Sequence, residues 1–129
     1  MLTEEGPTMR VLDGQQILVR IFIGEFDKWH HQSLATALLE RVRREGFAGA
    51  TVFRGLAGFG AHSVLHTSHI LRLSEDLPIV IEIVDDEEHI EKLLPLLDEM
   101  VTEGLVTMEK VRVVKYAPGT RGGAQPKGA

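Results

Sequence analysis

From Ile17 to Ile23 the apolar residues alternate, with Ile17, Val19, Ile21 and Ile23 on one side and Leu18, Arg20 and Phe22 on the other. This period of two is that of a strand covered on at least one face. Gly24 closes it, and Glu25-Phe26-Asp27-Lys28 reads as a polar turn. From about Trp29 to Glu45 the period lengthens: Leu34, Ala35, Leu38, Leu39 and Val42 form the stripe of an amphipathic helix. Arg41, Arg43 and Arg44 suit the negative end of its dipole, and Gly46 is a natural stop. A second strand is predicted over Ala50 to Leu56 and a third over Ile79 to Val84, with Ile79, Ile81 and Ile83 facing one way. Asp85, with Glu88 three residues on, predicts a capping box opening a second helix on Ile90, Leu93, Leu94, Leu97 and Met100. Pro95 interrupts that stripe and predicts a bend or an early end. After Gly104, Leu105 to Tyr116 reads as a strand studded with charge.

The order strand, helix, strand, strand, helix, strand is that of an α+β, ferredoxin-like βαββαβ domain, with two helices on one face of an antiparallel sheet. The first and third strands are the most uniformly apolar and are expected at the centre, while the charged fourth suits an edge. The domain is expected over residues 17–116, between a loose arm over 1–16 and a Gly-rich, disordered tail over 117–129. Leu18, Phe22, Val80 and Val84 would then face away from both helices. A second apolar face needs covering, and self-association predicts an oligomer.

Composition narrows the functions. The 129 residues suit one domain, and a net charge of −5 argues against sequence-independent nucleic-acid binding. The absence of cysteine excludes disulfides, thiolate metal sites and a cysteine nucleophile. No apolar run reaches the roughly 18 residues of a membrane span, and Met1 to Gly14 lacks the apolar core of a signal peptide. A cytoplasmic protein that is not membrane-inserted is expected.

The chemistry concentrates in the long connection from Gly55 to Pro78, where a hairpin would need only two to five residues. Val64, Leu65, Ile70, Leu71 and Leu73 make it too apolar for a plain linker. Gly55, Gly58 and Gly60 could present backbone N–H groups to an anion, against the simpler reading of a strand ending in a turn. His62, His66 and His69 fall on one face if the segment is helical, which would suit Zn, Ni or Cu. Otherwise they are polar loop residues open to ligand or partner. Arg54 and Arg72 flank the loop. Lys110 and Arg112 share a face of the last strand, and Asp27 and Lys28 follow the first. Asp85-Asp86-Glu87-Glu88 is explained by the helix dipole without a metal. Ser63 beside His62 has neither an elbow motif nor an orienting acid, so serine catalysis is not supported. Acylphosphatase chemistry, which shares the fold, needs an arginine in the first turn and an asparagine; that turn has no arginine and the chain no asparagine.

The segments Gly24-Glu-Phe-Asp-Lys28, Phe53-Arg-Gly-Leu-Ala-Gly-Phe-Gly60, Leu73-Ser-Glu-Asp-Leu-Pro78 and Ile81-Glu-Ile-Val-Asp85 together resemble a bacterial and archaeal family, domain of unknown function 190. That family is grouped structurally with the PII-like signalling proteins. The resemblance, over about Ile17 to Tyr116, implies a homotrimer with the sheets at its core. It also implies a small effector, commonly an adenine nucleotide, in the clefts between subunits. The loop would dock on a transporter or channel, with a fluoride exporter as the partner class. PII proteins proper carry a loop tyrosine and a Gly-Asp-Gly-Lys phosphate loop. Here Tyr116 is the one tyrosine, and Thr102 to Val106 has one glycine and no lysine. The expected reading is a non-enzymatic regulator binding an anionic ligand through Gly58, Phe59, Gly60, His62, Ser63 and His66, with Arg54, Asp27, Lys28 and Lys110. The alternative is a metal-binding or metal-tolerance trimer using His62, His66 and His69.

Overall fold

The computed structural model describes residues 11–60 and 76–119. Four strands, β1 (Gly14–Gly24), β4 (Thr51–Arg54), β5 (Pro78–Asp85) and β6 (Leu105–Val113), form one antiparallel sheet in the order β4-β5-β1-β6. The first and third of these are central, as their apolar runs predict. Helices α1 (Leu34–Arg44) and α2 (Glu87–Met100) complete the ferredoxin-like α+β arrangement. A short hairpin, β2 (Lys28–Trp29) and β3 (Gln32–Ser33), is inserted between β1 and α1.

Strand parity sets the core. Val19, Ile21 and Ile23 of β1 and Ile79, Ile81 and Ile83 of β5 lie beneath Leu34, Ala37, Leu38 and Val42 of α1 and Ile90, Leu93, Leu97 and Met100 of α2. Val19, Ile21, Ile81 and Leu93 are wholly buried, and each side chain of this kind contributes about 1.5–3 kcal/mol on leaving water. Gly46, at φ +87°, ends α1 in the left-handed conformation. Gly46 N–H donates to the Arg43 carbonyl and Phe47 N–H to that of Val42, which satisfies the last turn as a Schellman motif.

Several local expectations need correction. The helix expected from Trp29 starts at Leu34, because Trp29 to Gln32 turn tightly with His30 at φ 48° and His31 at φ 74°. Positive φ at both central residues is the requirement of a type I′ hairpin. Ser33 then caps α1, its hydroxyl accepting from Thr36 N–H at 3.3 Å. The cap of α2 is Asp86 rather than Asp85, with Asp86 Oδ1 accepting from His89 N–H at 2.8 Å. Asp85 continues the inward parity of Ile79, Ile81 and Ile83 and is fully buried, where Oδ2 accepts from Ala48 N–H and Oδ1 from Asp86 N–H. Of the bend or early end expected at Pro95, the early end is not seen, since helix α2 runs through the proline to Met100. Strand β1 opens at Gly14, where pairing with β6 begins, so residues 14–16 of the expected arm belong to the sheet. Strand β6 ends at Val113 rather than Tyr116, and β4 at Arg54 rather than Leu56.

The sheet face opposite the helices carries cross-strand rows. Phe53, Val80, Phe22 and Leu105 stand side by side across all four strands. Phe53 is 50% and Leu105 56% exposed. The next row is Thr51, Glu82, Arg20 and Thr107, followed by Val84, Leu18 and Glu109. Arg20 bridges Glu82 at 2.9 Å and Glu109 at 3.0 Å, and the hydrogen bond to Glu82 pushes its pKa up.

Candidate functional site

The ends of the 55–78 connection meet at one end of the sheet. Gly55 N–H donates to the Pro78 carbonyl at 2.7 Å. A Cβ on Gly55 would stand 2.7 Å from Pro78 Cγ, and one on Gly58 3.2 Å from it. Gly55 is therefore needed for this close approach to the proline, and Gly58 packs tightly against the same ring. Neither they nor Gly60 has positive φ, so their backbone does not alternate in hand as an anion nest does. The Gly55 N–H is already engaged. Of the two readings of the glycines, their geometry here is that of a strand end packed on a turn.

The turn after β1 is tied to both ends of this connection. Glu25 N–H donates to the Leu77 carbonyl at 2.8 Å, and Phe26 N–H donates to Asp76 Oδ1 at 2.9 Å. On the other side, Arg54 Nε lies 3.0 Å from Glu25 Oε2 and Nη2 3.2 Å from Oε1, a two-point guanidinium–carboxylate contact. Gly24 allows this crowding, since a Cβ there would meet both Asp76 carboxylate oxygens at 3.1 Å and Asp27 Oδ1 at 3.2 Å. Asp27 holds the turn itself. Its Oδ2 accepts from Gly24 N–H at 2.9 Å, and its carbonyl accepts from Leu34 N–H at the start of α1.

Of the residues singled out in the sequence, the structure thus gathers Arg54, Asp27, Lys28 and Gly58 at one end of the sheet, with Phe59 (72% exposed) and Gly60 next in the chain. His62, Ser63, His66 and His69 lie outside the described residues. Lys110 pairs with Ile17, while Pro78 pairs with Gly24. Within one chain Lys110 therefore stands about 23 Å along the strand from the loop root. Glu25 and Asp76 were not singled out beforehand, although both lie in the motif segments. Their signal was positional: polar residues flanking the two ends of a connection too long for a hairpin.

Among the described residues, Asp85, Asp86 and His89 form the group that could hold a metal ion, with ligand atoms all within 4.8 Å of one another. Their oxygens accept the N–H groups of Ala48, Asp86 and His89, and His89 Nδ1 lies 2.8 Å from Asp86 Oδ1. The cluster joins the α1–β4 connection to the start of α2, a structural role. No helix among the described residues is long and apolar enough to cross a membrane.

Comparison with known proteins agrees with this architecture. A UPF0166 protein of Aquifex aeolicus is 37% identical over 106 residues, covering 82% of this chain and 98% of its own length. A UPF0166 protein of Methanocaldococcus jannaschii is 36% identical over 99 residues, covering 76% and 91%. Among solved structures, a putative PII-like signalling protein of Thermus thermophilus superposes with a TM-score of 0.57 at 24% identity, covering 80% of this chain and 94% of that one. CPII of Thiomonas intermedia, bound to ADP and bicarbonate, gives 0.55 at 24% identity, covering 78% and 90%. The sequence matches the DUF190 family, described as "Uncharacterized ACR, COG1993", over residues 16–113. With the fold of the PII-like proteins and a family match spanning nearly the whole sheet, the chain belongs to the DUF190 (UPF0166) family.

Proposed function

We propose that this protein is a non-enzymatic, cytoplasmic PII-like regulator, a homotrimer that binds an adenine nucleotide in the clefts between its subunits and acts on a partner through its 55–78 connection. The observation that carries the reading is the root of that connection: both ends are fastened to the Glu25–Asp27 turn, and Arg54 is held there with Gly58. A ligand at this point contacts the loop, the first strand and the start of α1 together. The site is completed by Phe59, Gly60, His62, Ser63 and His66, with Asp27 and Lys28, and by Lys110 of a neighbouring subunit. Lys110 belongs to this site only across a subunit boundary, given its distance along the strand. CPII, which shares the fold, is described as bound to ADP and AMP, and this supports adenine nucleotide as the first ligand to test. The apolar row of Phe53, Val80, Phe22 and Leu105 supports a trimer that buries the open sheet face. A transporter or channel, with the fluoride exporters first in line, is the partner class. The second reading, metal binding through His62, His66 and His69, rests on their spacing.

A thermal-shift series with ADP, AMP and divalent metals, with and without chelator, tests both. Ligand at about a hundred times its dissociation constant adds roughly 2.7 kcal/mol, which moves the midpoint by several degrees. A shift with nucleotide that survives chelator is the expected result. A shift with metal alone, lost on His62→Ala and His66→Ala, replaces the first reading with the second.

A further inference from the structure

We propose that Glu25 is an internal competitor for the ligand's anionic group: its carboxylate occupies the face of the Arg54 guanidinium that a nucleotide phosphate would take. This rests on the nucleotide reading above and concerns how that site is regulated. The contact is two-pointed, Nε to Oε2 at 3.0 Å and Nη2 to Oε1 at 3.2 Å. The guanidinium fork fits carboxylate and phosphate in the same way, so one displaces the other without rearranging the cation.

The neighbouring carboxylates are committed elsewhere. Asp27 accepts from Gly24 N–H, and Asp76 accepts from Phe26 N–H, so both hold the backbone of the turn. Among the described residues, the Glu25 carboxylate has Arg54 as its partner and holds no backbone N–H. Its release leaves the turn intact, because the Glu25 backbone N–H stays bonded to the Leu77 carbonyl. The Glu25 side chain is 28% exposed and that of Arg54 42%, so water and solutes reach the pair. Ion pairs with this exposure are weak, and a bound phosphate can replace the carboxylate at little cost. Glu25 therefore sets a threshold: it keeps the cation neutralised and ordered until a stronger anion arrives.

The test is calorimetric titration of the full chain with ADP at low ionic strength, in the wild type, Glu25→Gln, Arg54→Gln and the double variant. Glu25→Gln keeps the shape and removes the charge, and a tightening of about two- to fivefold is expected from the strength of exposed pairs. The double variant should match Arg54→Gln, since without the cation there is nothing to compete for. If the wild type binds ADP and Glu25→Gln binds it equally or less well, the competitor role is wrong and the nucleotide reading stands. Equal tightening in the Arg54→Gln background also overturns it, by showing general relief of negative charge. If neither wild type nor Glu25→Gln binds ADP, both ideas fall. Glu25→Ala, with thermal unfolding as the control, covers a Gln variant that folds poorly.

Discussion

At His30 and His31 the chain adopts a conformation that L residues avoid, φ 48° and 74° in succession. Left-handed backbone costs about 1–2 kcal/mol per residue outside Gly, Asn and Asp. The Trp29 and His30 rings stack at 4.2 Å with 10° between their planes, which offsets part of the strain at His30 but none at His31. His31→Gly should therefore stabilise the protein by about 1 kcal/mol, while His30→Gly, which also removes the stack, should gain less. Urea unfolding midpoints at unchanged slope would show the order, and equal gains would mean the stack contributes nothing. Gly104 is the opposite case. At φ +155° a Cβ would stand 2.5 Å from the Phe22 carbonyl oxygen, so Gly104→Ala should cost about 1–3 kcal/mol in the same assay.

The elements show what the sequence made legible. Period-two runs located β1 and β5 and the 3.6 stripes located both helices, because those patterns are written by burial itself. The α1 start was not legible: a type I′ turn is normally announced by Asn-Gly, and His30-His31 gives no such signal. The α2 cap was misplaced by one residue because Asp85 and Asp86 are chemically equal and only parity separates them. Asp85 points inward with Ile83, so Asp86 is left to cap. Asp86→Ala should cost about 1 kcal/mol for the lost cap. Asp85→Asn should cost about 2 kcal/mol, because one of two buried N–H groups loses its acceptor. Pro95 is exposed within α2 and removes a helical hydrogen bond, so Pro95→Ala should stabilise by about 1–3 kcal/mol in thermal unfolding. At the loop root the sequence located Arg54, Asp27 and Gly58 but missed Glu25 and Asp76. A fastening made of backbone donors and single carboxylates leaves no period to read.

At the scale of the whole molecule, the trimer reading rests on the open sheet face. On the trimer reading, Phe22→Glu places a charge in the middle of the apolar row and should give a monomer by size exclusion with light scattering, its far-UV circular dichroism retained. A trimer that survives this change would move the interface off the sheet. The alternation of rows on that face has a further consequence. Successive rows lie about 7 Å apart along the strands, and apolar Phe53-Val80-Phe22-Leu105 is followed by the Glu82-Arg20 pair and then by Val84-Leu18, with Glu109, the second partner of Arg20, at the end of that row. Any surface laid on it must present polar groups that follow Arg20 and its two carboxylates, at the edge of the apolar row. A slide by a single row would press hydrocarbon onto paired charge, stripping water from the ions without replacing it. On the trimer reading, the face would therefore work as a key with one notch, admitting a second subunit at one vertical setting and refusing the neighbouring ones.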